Sequence, residues 1–194
     1  DKGYLKFAPV GGWDPKVPYG CRVKVLTKSG PVYGVIGTVP PHLLKKEKAE
    51  KPPEFDELAI DIGADSKKEA EEMGVRVGDY VVVDAPYGEL TKYRVVGAGF
   101  DDKSGVATIF LAAKRIWERK SELRDVAVHI VATVQEEIGL RGAYMVGYEL
   151  KPDVALVVDV TFATSPGVPQ GKVQIELGKG PAISIGPIYH PDVV

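Results

Sequence analysis

Residues 125–143 read DVAVHIVATVQEEIGLRGA. From Val126 to Val134 the run is nearly continuous, apolar and largely β-branched, the composition of a strand covered on both faces. It breaks at Gln135, Glu136 and Glu137, and GLRGAYMVGYEL (139–150) then takes helical spacing. Working outward, ALVVDV (155–160) is a second buried strand and RVVGAGF (94–100) a third. Between the third and the first lies a long helix pattern, with Val106, Ile109, Phe110, Ala113, Ile116 and Trp117 on one face. This β-α-β-α-β alternation predicts an α/β fold: a sheet with helices packed on it, parallel in at least part.

The first half reads differently. GCRVKVLTKSGPVYGVIGT (20–38) predicts two strands joined by a Ser29-Gly30-Pro31 turn. Residues 39–57, rich in Pro and Lys, predict an exposed loop. LAIDIG (58–63) predicts a strand. Asp65 or Ser66 would cap a short helix, with Ser66 and Glu69 in capping-box spacing, and Gly74 ends it. VRVGDYVVVDA (75–85) returns to strand. Short strands at this spacing predict a compact β-rich module. YLKFAPV (4–10) reads as a short strand with none before it to pair with. Both ends of the chain read as cut, so the sequence is expected to be a fragment of a longer polypeptide.

The 194 residues carry a formal charge of −2 and are 44% hydrophobic. That supports a real core and excludes a basic field for nucleic acid or a polybasic membrane patch. No apolar run reaches the ~18 residues of a membrane span. Cys21 is the only cysteine, so no internal disulfide forms and a reducing, cytoplasmic setting fits. With 3 histidines, a metal site within the chain must lean on carboxylates.

Carboxylates fall where a site would need them. Asp101 and Asp102 follow VVGAGF, Glu136 and Glu137 follow HIVATVQ, and Asp159 ends ALVVD. Ligands of open α/β sheets bind outside the carboxyl ends of strands. Converging carboxylates repel and lose hydration unless a cation joins them, and divalent ions do so. A dinuclear site, with ions about 3.5–4 Å apart, needs a bridging carboxylate, terminal ligands and an untethered base. Adjacent residues at a strand end, such as Glu136 and Glu137, point different ways and can divide that work. One acidic strand end is most simply a surface accident; three in a row weigh against it.

At DDKSG, VQEEIGLRGA and DVTFATSPG the sequence resembles the glutamyl aminopeptidase and tetrahedral aminopeptidase family of dinuclear metallopeptidases. YLKFAPVGGWDP, GVIGTVPPH, DIGADSKKEAEEMGVRVGD and ELGKGPAI extend the likeness over nearly the whole chain. The resemblance implies a zinc-peptidase-like catalytic domain, a helix-flanked mixed sheet, with a small inserted β-rich domain, barrel or PDZ-like. Residues 1–8 would be the edge of the catalytic domain, 9–93 the inserted dimerisation and assembly domain, and 94–194 the incomplete catalytic domain. It implies two divalent ions, zinc or cobalt. Asp101 would bridge them, with Glu137 and Asp159 as metal ligands and Glu136 as general base. It implies hydrolysis of N-terminal residues from short peptides through a metal-activated water, and a homo-oligomer of dimers building a dodecamer. The family's two ligand histidines match nothing here: His42, His129 and His190 read as structural or surface residues. The chain alone is therefore expected to be inactive.

Two rival readings stand beside this. One is a metal-free glycosidase using Glu136 with Asp101 or Asp159. The other is a non-catalytic assembly module. Among single residues, Asp102 reads more readily as a helix N-cap than as a ligand. Lys103 and Arg141 could meet a substrate carboxylate or be solvated charge. Trp13 could line a pocket, Trp117 reads as core, and Cys21 as a small buried apolar residue.

Overall fold

A computed structural model describes residues 2–169, 171, 174–190 and 192. It contains strands β1 (Arg22–Thr27) and β2 (Gly30–Gly37), helix α1 (Lys46–Ala49), β3 (Ala59–Asp61), α2 (Lys67–Glu72), β4 (Val81–Val83), β5 (Gly88–Thr91), β6 (Arg94–Val96), α3 (Phe100–Glu118) and α4 (Arg141–Leu150). Short 3-10 turns occupy Pro41–Leu43, Phe55–Glu57, Lys120–Glu122 and Glu136–Ile138. The chain divides into two compact units, Asp1–Ala98 with Ala132–Asp153, and Gly99–Val131 with Val154–Val194.

In the first unit β1 and β2 form a hairpin whose register ends at Thr27 opposite Gly30. The loop is therefore Lys28–Ser29, earlier than the expected Ser29-Gly30-Pro31 turn. Gly30 supplies the left-handed φ of +123°, and the Thr27 hydroxyl donates to its carbonyl at 2.6 Å. Pro31, which has no N–H, is tolerated near the start of β2. The sheet order is β3-β2-β1-β4, antiparallel throughout, and β5 and β6 form a separate antiparallel hairpin. The β5–β6 hairpin was not read from the sequence.

Alternation along the strands sets the core. Val23 and Val25 of β1, Ile36 of β2 and Ile60 of β3 are at most 3% exposed, and Leu58 is fully buried beside them. Ile62, Ala64, Ala70 and Val75 complete this cluster, with Leu5, Phe7, Val32, Phe55 and Val81 packed against it. Each Val, Leu or Ile side chain among them, fully buried, contributes about 1.5–3 kcal/mol. The segment YLKFAPV does have a partner: Leu5 and Ile60 exchange backbone hydrogen bonds of 2.9 Å each. On the outer face of the sheet the Asp84 side chain, 7% exposed, pairs with Arg22 at 2.5 Å and Lys24 at 2.7 Å.

Helix α2 starts as its capping residue dictates. The Ser66 hydroxyl accepts the Glu69 amide at 3.2 Å. The reciprocal Glu69 carboxylate takes the amide of Asp65 rather than that of Ser66, at 2.8 Å. Gly74, at φ +92°, lets the chain leave the helix. Residues 39–57, expected as loop, carry α1 and two 3-10 turns, and Lys48 is ion-paired to Glu57. Cys21 precedes β1, is half-buried and donates its thiol to the Val17 carbonyl at 3.3 Å.

The second unit holds α3. Val106, Ile109, Ala113 and Ile116 are half-buried at the predicted helical spacing. Phe110 and Trp117 are not: they are 61% and 69% exposed. Trp117, expected in the core, instead carries the Lys120 ammonium 4.0 Å from its ring centroid. The expected strands 125–134 and 155–160 correct in the same direction. Neither joins a ladder among the described residues, and Val134, Leu156 and Val157 are 70%, 79% and 87% exposed. An apolar β-branched run records that a segment suits burial on two faces; it does not carry the strands that would flank it. The fold is α/β in content, but every strand pair among the described residues is antiparallel, where a partly parallel sheet was expected.

Candidate active site

Glu136 and Glu137 lie on one 3-10 turn, Glu136–Ile138, rather than at a strand end. Three left-handed residues shape it. Gln135 at φ +59° precedes the turn, and Gly139 at +109° and Leu140 at +57° follow it. The amides of Gly139 and Leu140 both donate to the Glu136 carbonyl, at 3.0 and 2.9 Å. Arg141 and Gly142 then donate to the carbonyls of Gln135 and Val134, at 3.2 and 3.0 Å. This folds the start of α4 back onto the turn. A 3-10 turn has 3.0 residues per turn, so successive side chains diverge by about 120°. The division of work expected of the two glutamates is thus available, from a turn and not from strand alternation. Both carboxylates are exposed.

Asp101 and Asp102 sit at the start of α3 with non-helical backbone angles, φ −87° and ψ 108° for Asp101, φ −119° and ψ 49° for Asp102. The helix proper follows them. Asp102 is half-buried and its carboxylate accepts the Gly105 amide at 2.8 Å. That is the N-cap bond expected of it, satisfying one of the orphan amides of a helix start. Asp101 is exposed and takes part in no ion pair among the described residues. Asp159 is exposed, in the extended run 155–160, and its carboxylate accepts the amide of Val160 at 2.7 Å.

The structure brings Glu136 and Glu137 together on one turn, and Asp101 and Asp102 at one helix start. Among the described residues no group of three or more His, Cys, Asp or Glu forms a cation site. The donor chemistry fits a divalent ion, since carboxylate oxygens suit magnesium, manganese and zinc alike. His42 lies on the Pro41–Leu43 turn, His129 in the run 125–134, and His190 is 3.9 Å from Asp192. One neighbour of the glutamate turn was not read from the sequence as part of a site. Gly11 lies against the Glu137 carbonyl, and its signal was the Gly-Gly step of VGGWD.

Comparison with known proteins gives this turn a context. The family model of M42 glutamyl aminopeptidase matches residues 1–194. The lysyl aminopeptidase of Pyrococcus furiosus is 37% identical over 190 residues, 97% of this chain and 53% of that protein. Among solved structures, a TET aminopeptidase from a marine sediment archaeon of the Thaumarchaeota superposes with a TM-score of 0.83 at 40% identity. That match covers 92% of this chain and 50% of the other. A TET peptidase of Pyrococcus horikoshii, described as assembling into a tetrahedron or a large octahedral shell, superposes at 0.70 and 35% identity. It matches over 93% of this chain and 52% of its own. The chain spans about half the length of the curated relatives it matches. No helix is long and apolar enough to cross a membrane among the described residues. With the family model matching from residue 1 to residue 194, the chain belongs to the M42 glutamyl aminopeptidase family.

Proposed function

We propose that this chain carries the catalytic glutamate turn of a metal-dependent aminopeptidase acting on short peptides. The observation that carries the reading is the Glu136–Ile138 turn, which sets two adjacent carboxylates about 120° apart. Glu137, Asp101 and Asp159 are the residues that would hold divalent metal, with zinc or cobalt as the expected ions and two as the expected number. When bound, such ions supply Lewis-acid polarisation of a peptide carbonyl and lower the pKa of water in the site. Glu136 acts as the general base. It accepts a proton from water as the water oxygen bonds to the carbonyl carbon. It returns that proton to the departing amide nitrogen as the C–N bond breaks. Asp102 contributes by fixing the start of α3, so that Asp101 precedes a capped helix.

The same reading assigns residues 9–93 to an inserted β-rich module, barrel or PDZ-like, that mediates assembly. Residues 1–8 and 94–194 belong to the catalytic domain. The likeness to TET peptidases supports homo-oligomerisation, and the same reading builds the oligomer from dimers, up to a dodecamer. A cytoplasmic setting belongs to the same reading. The test is chelation. In the full-length protein, aminopeptidase activity on an aminoacyl-coumarin should vanish in a strong chelator and return on adding zinc or cobalt. Activity untouched by chelation contradicts the reading.

A further inference from the structure

We infer that Gly11 is a positioning residue for the glutamate turn, an assignment that rests on the proposed role of Glu136. Gly11 has a left-handed φ of +85°, and a Cβ built on it would lie 3.0 Å from the Glu137 carbonyl oxygen and 3.8 Å from the Ile138 Cγ2. The carbonyl is backbone and cannot swing aside as a side-chain tip does. Gly12, the next residue, has nothing within 4 Å of an added Cβ. The close approach is thus specific to position 11. It comes from a segment more than 120 positions away in sequence from the turn it touches.

A second close contact lies beside the turn. A Cβ on Gly142 would lie 2.4 Å from the Val134 carbonyl oxygen and 2.6 Å from the Val134 amide nitrogen. So α4 starts in backbone contact with the residue just before Gln135. The Gly142 contact accompanies the bond from its own amide to the Val134 carbonyl, eight positions away in sequence. The Gly11 contact ties the turn to the segment leading into β1.

A side chain at position 11 must push the Glu137 carbonyl by a few tenths of an ångström, and the turn with it. Small misplacements of catalytic groups are costly: ~1 Å lowers rates on the order of 100-fold. Gly11 contacts the turn at Glu137 and Ile138, so its effect runs through the turn, on Glu136 and on the proposed ligand Glu137 beside it.

The experiment is a double-mutant cycle in the metal-loaded enzyme, with kcat, KM and melting temperature read for each variant. Gly11→Ala should lower kcat by about twofold to tenfold with KM little changed, and should lower the melting temperature modestly because a side chain at φ +85° is strained. Gly12→Ala should match wild type. At equal metal content, Gly11→Ala placed on Glu136→Gln should slow that variant less than it slows the wild type. Should Gly11→Ala fail to fold, Gly11→Asn carries the same test, because Asn tolerates positive φ yet still places a Cβ on the carbonyl. Wild-type kcat for the position 11 variants overturns the assignment. So does an equal further loss in the Glu136→Gln background, which marks a general structural effect. Wild-type kcat for Glu136→Gln itself overturns both this inference and the role of Glu136, and so separates the two failures.

Discussion

Residues 125–160 are richer in Val, Ile and Leu than residues 22–62, yet the two end in opposite places. In 22–62, Val23, Val25, Leu58 and Ile60 are at most 1% exposed. In 125–160, Leu156, Val157 and Val134 are 79%, 87% and 70% exposed. The difference lies in how each run finds a partner. β1 meets β2 across a two-residue loop, and β3 returns to β2 within the same unit, so alternation, turn and neighbour are all local. The runs 125–134 and 155–160 are apolar without alternation. Such runs are shaped by cover on both faces and both edges, and no ladder supplies it among the described residues.

The comparison can be broken most directly by hydrogen exchange. The amides of Leu26, Ile36 and Ile60 donate to backbone carbonyls at 2.8–3.0 Å within the first unit. They should exchange slower than amides of 126–134 and 155–160 by about a thousandfold or more, the protection of a domain with ordinary stability. Equal rates in the two regions would erase the distinction.

Single truncations sharpen it. Ile60→Ala removes a fully buried side chain and should cost about 2–5 kcal/mol in urea melts of this chain. Leu156→Ala, at an exposed site, should stay within about 0.5 kcal/mol. A loss at Leu156 as large as at Ile60 would show that the second region is packed in solution.

A smaller effect concerns the charged face of the first region. The Lys24 ammonium bonded to Asp84, helped by the charges of Lys24 and Arg22, holds the Asp84 carboxyl below its ordinary value of 3.8. A depressed pKa means stability that is present above the unfolded value and lost as pH falls through the folded one. Unfolding midpoints should therefore hold steady down to about pH 4 and decline below it. Asp84→Asn should lower the midpoint at pH 7 and remove part of the acid decline. An unchanged acid limb would mean that the bridge contributes nothing to folding.

The same contrast explains what was legible in the sequence. The hairpin, α2 with its Ser66 cap and Gly74 exit, and the half-buried stripe of α3 rest on neighbours a few positions away. They were read with small misses: the hairpin loop falls one residue earlier, and Phe110 and Trp117 of the stripe are exposed. The Leu5–Ile60 bridge spans more than 50 positions and was missed. So was the place of the turn glutamates, because Gln135 and Leu140 take left-handed angles that neither residue type advertises. The candidate carboxylates were legible as residues, from their positions after apolar runs. Their arrangement was not, since a 3-10 turn and a strand end present the same EE pair to a reader of sequence.

The account turns on that pair, and one measurement tests it most directly: metal content and kcat of Glu136→Gln and Glu137→Gln side by side in the metal-loaded enzyme. Glu136→Gln keeps size and hydrogen-bonding reach but cannot accept a proton. Its kcat should fall by about 10²–10⁴-fold with metal content unchanged. Glu137→Gln should lose metal, and added zinc or cobalt should restore part of its activity. Loss of metal in Glu136→Gln with retention in Glu137→Gln would reverse the two roles. Full activity and full metal in both would contradict the account.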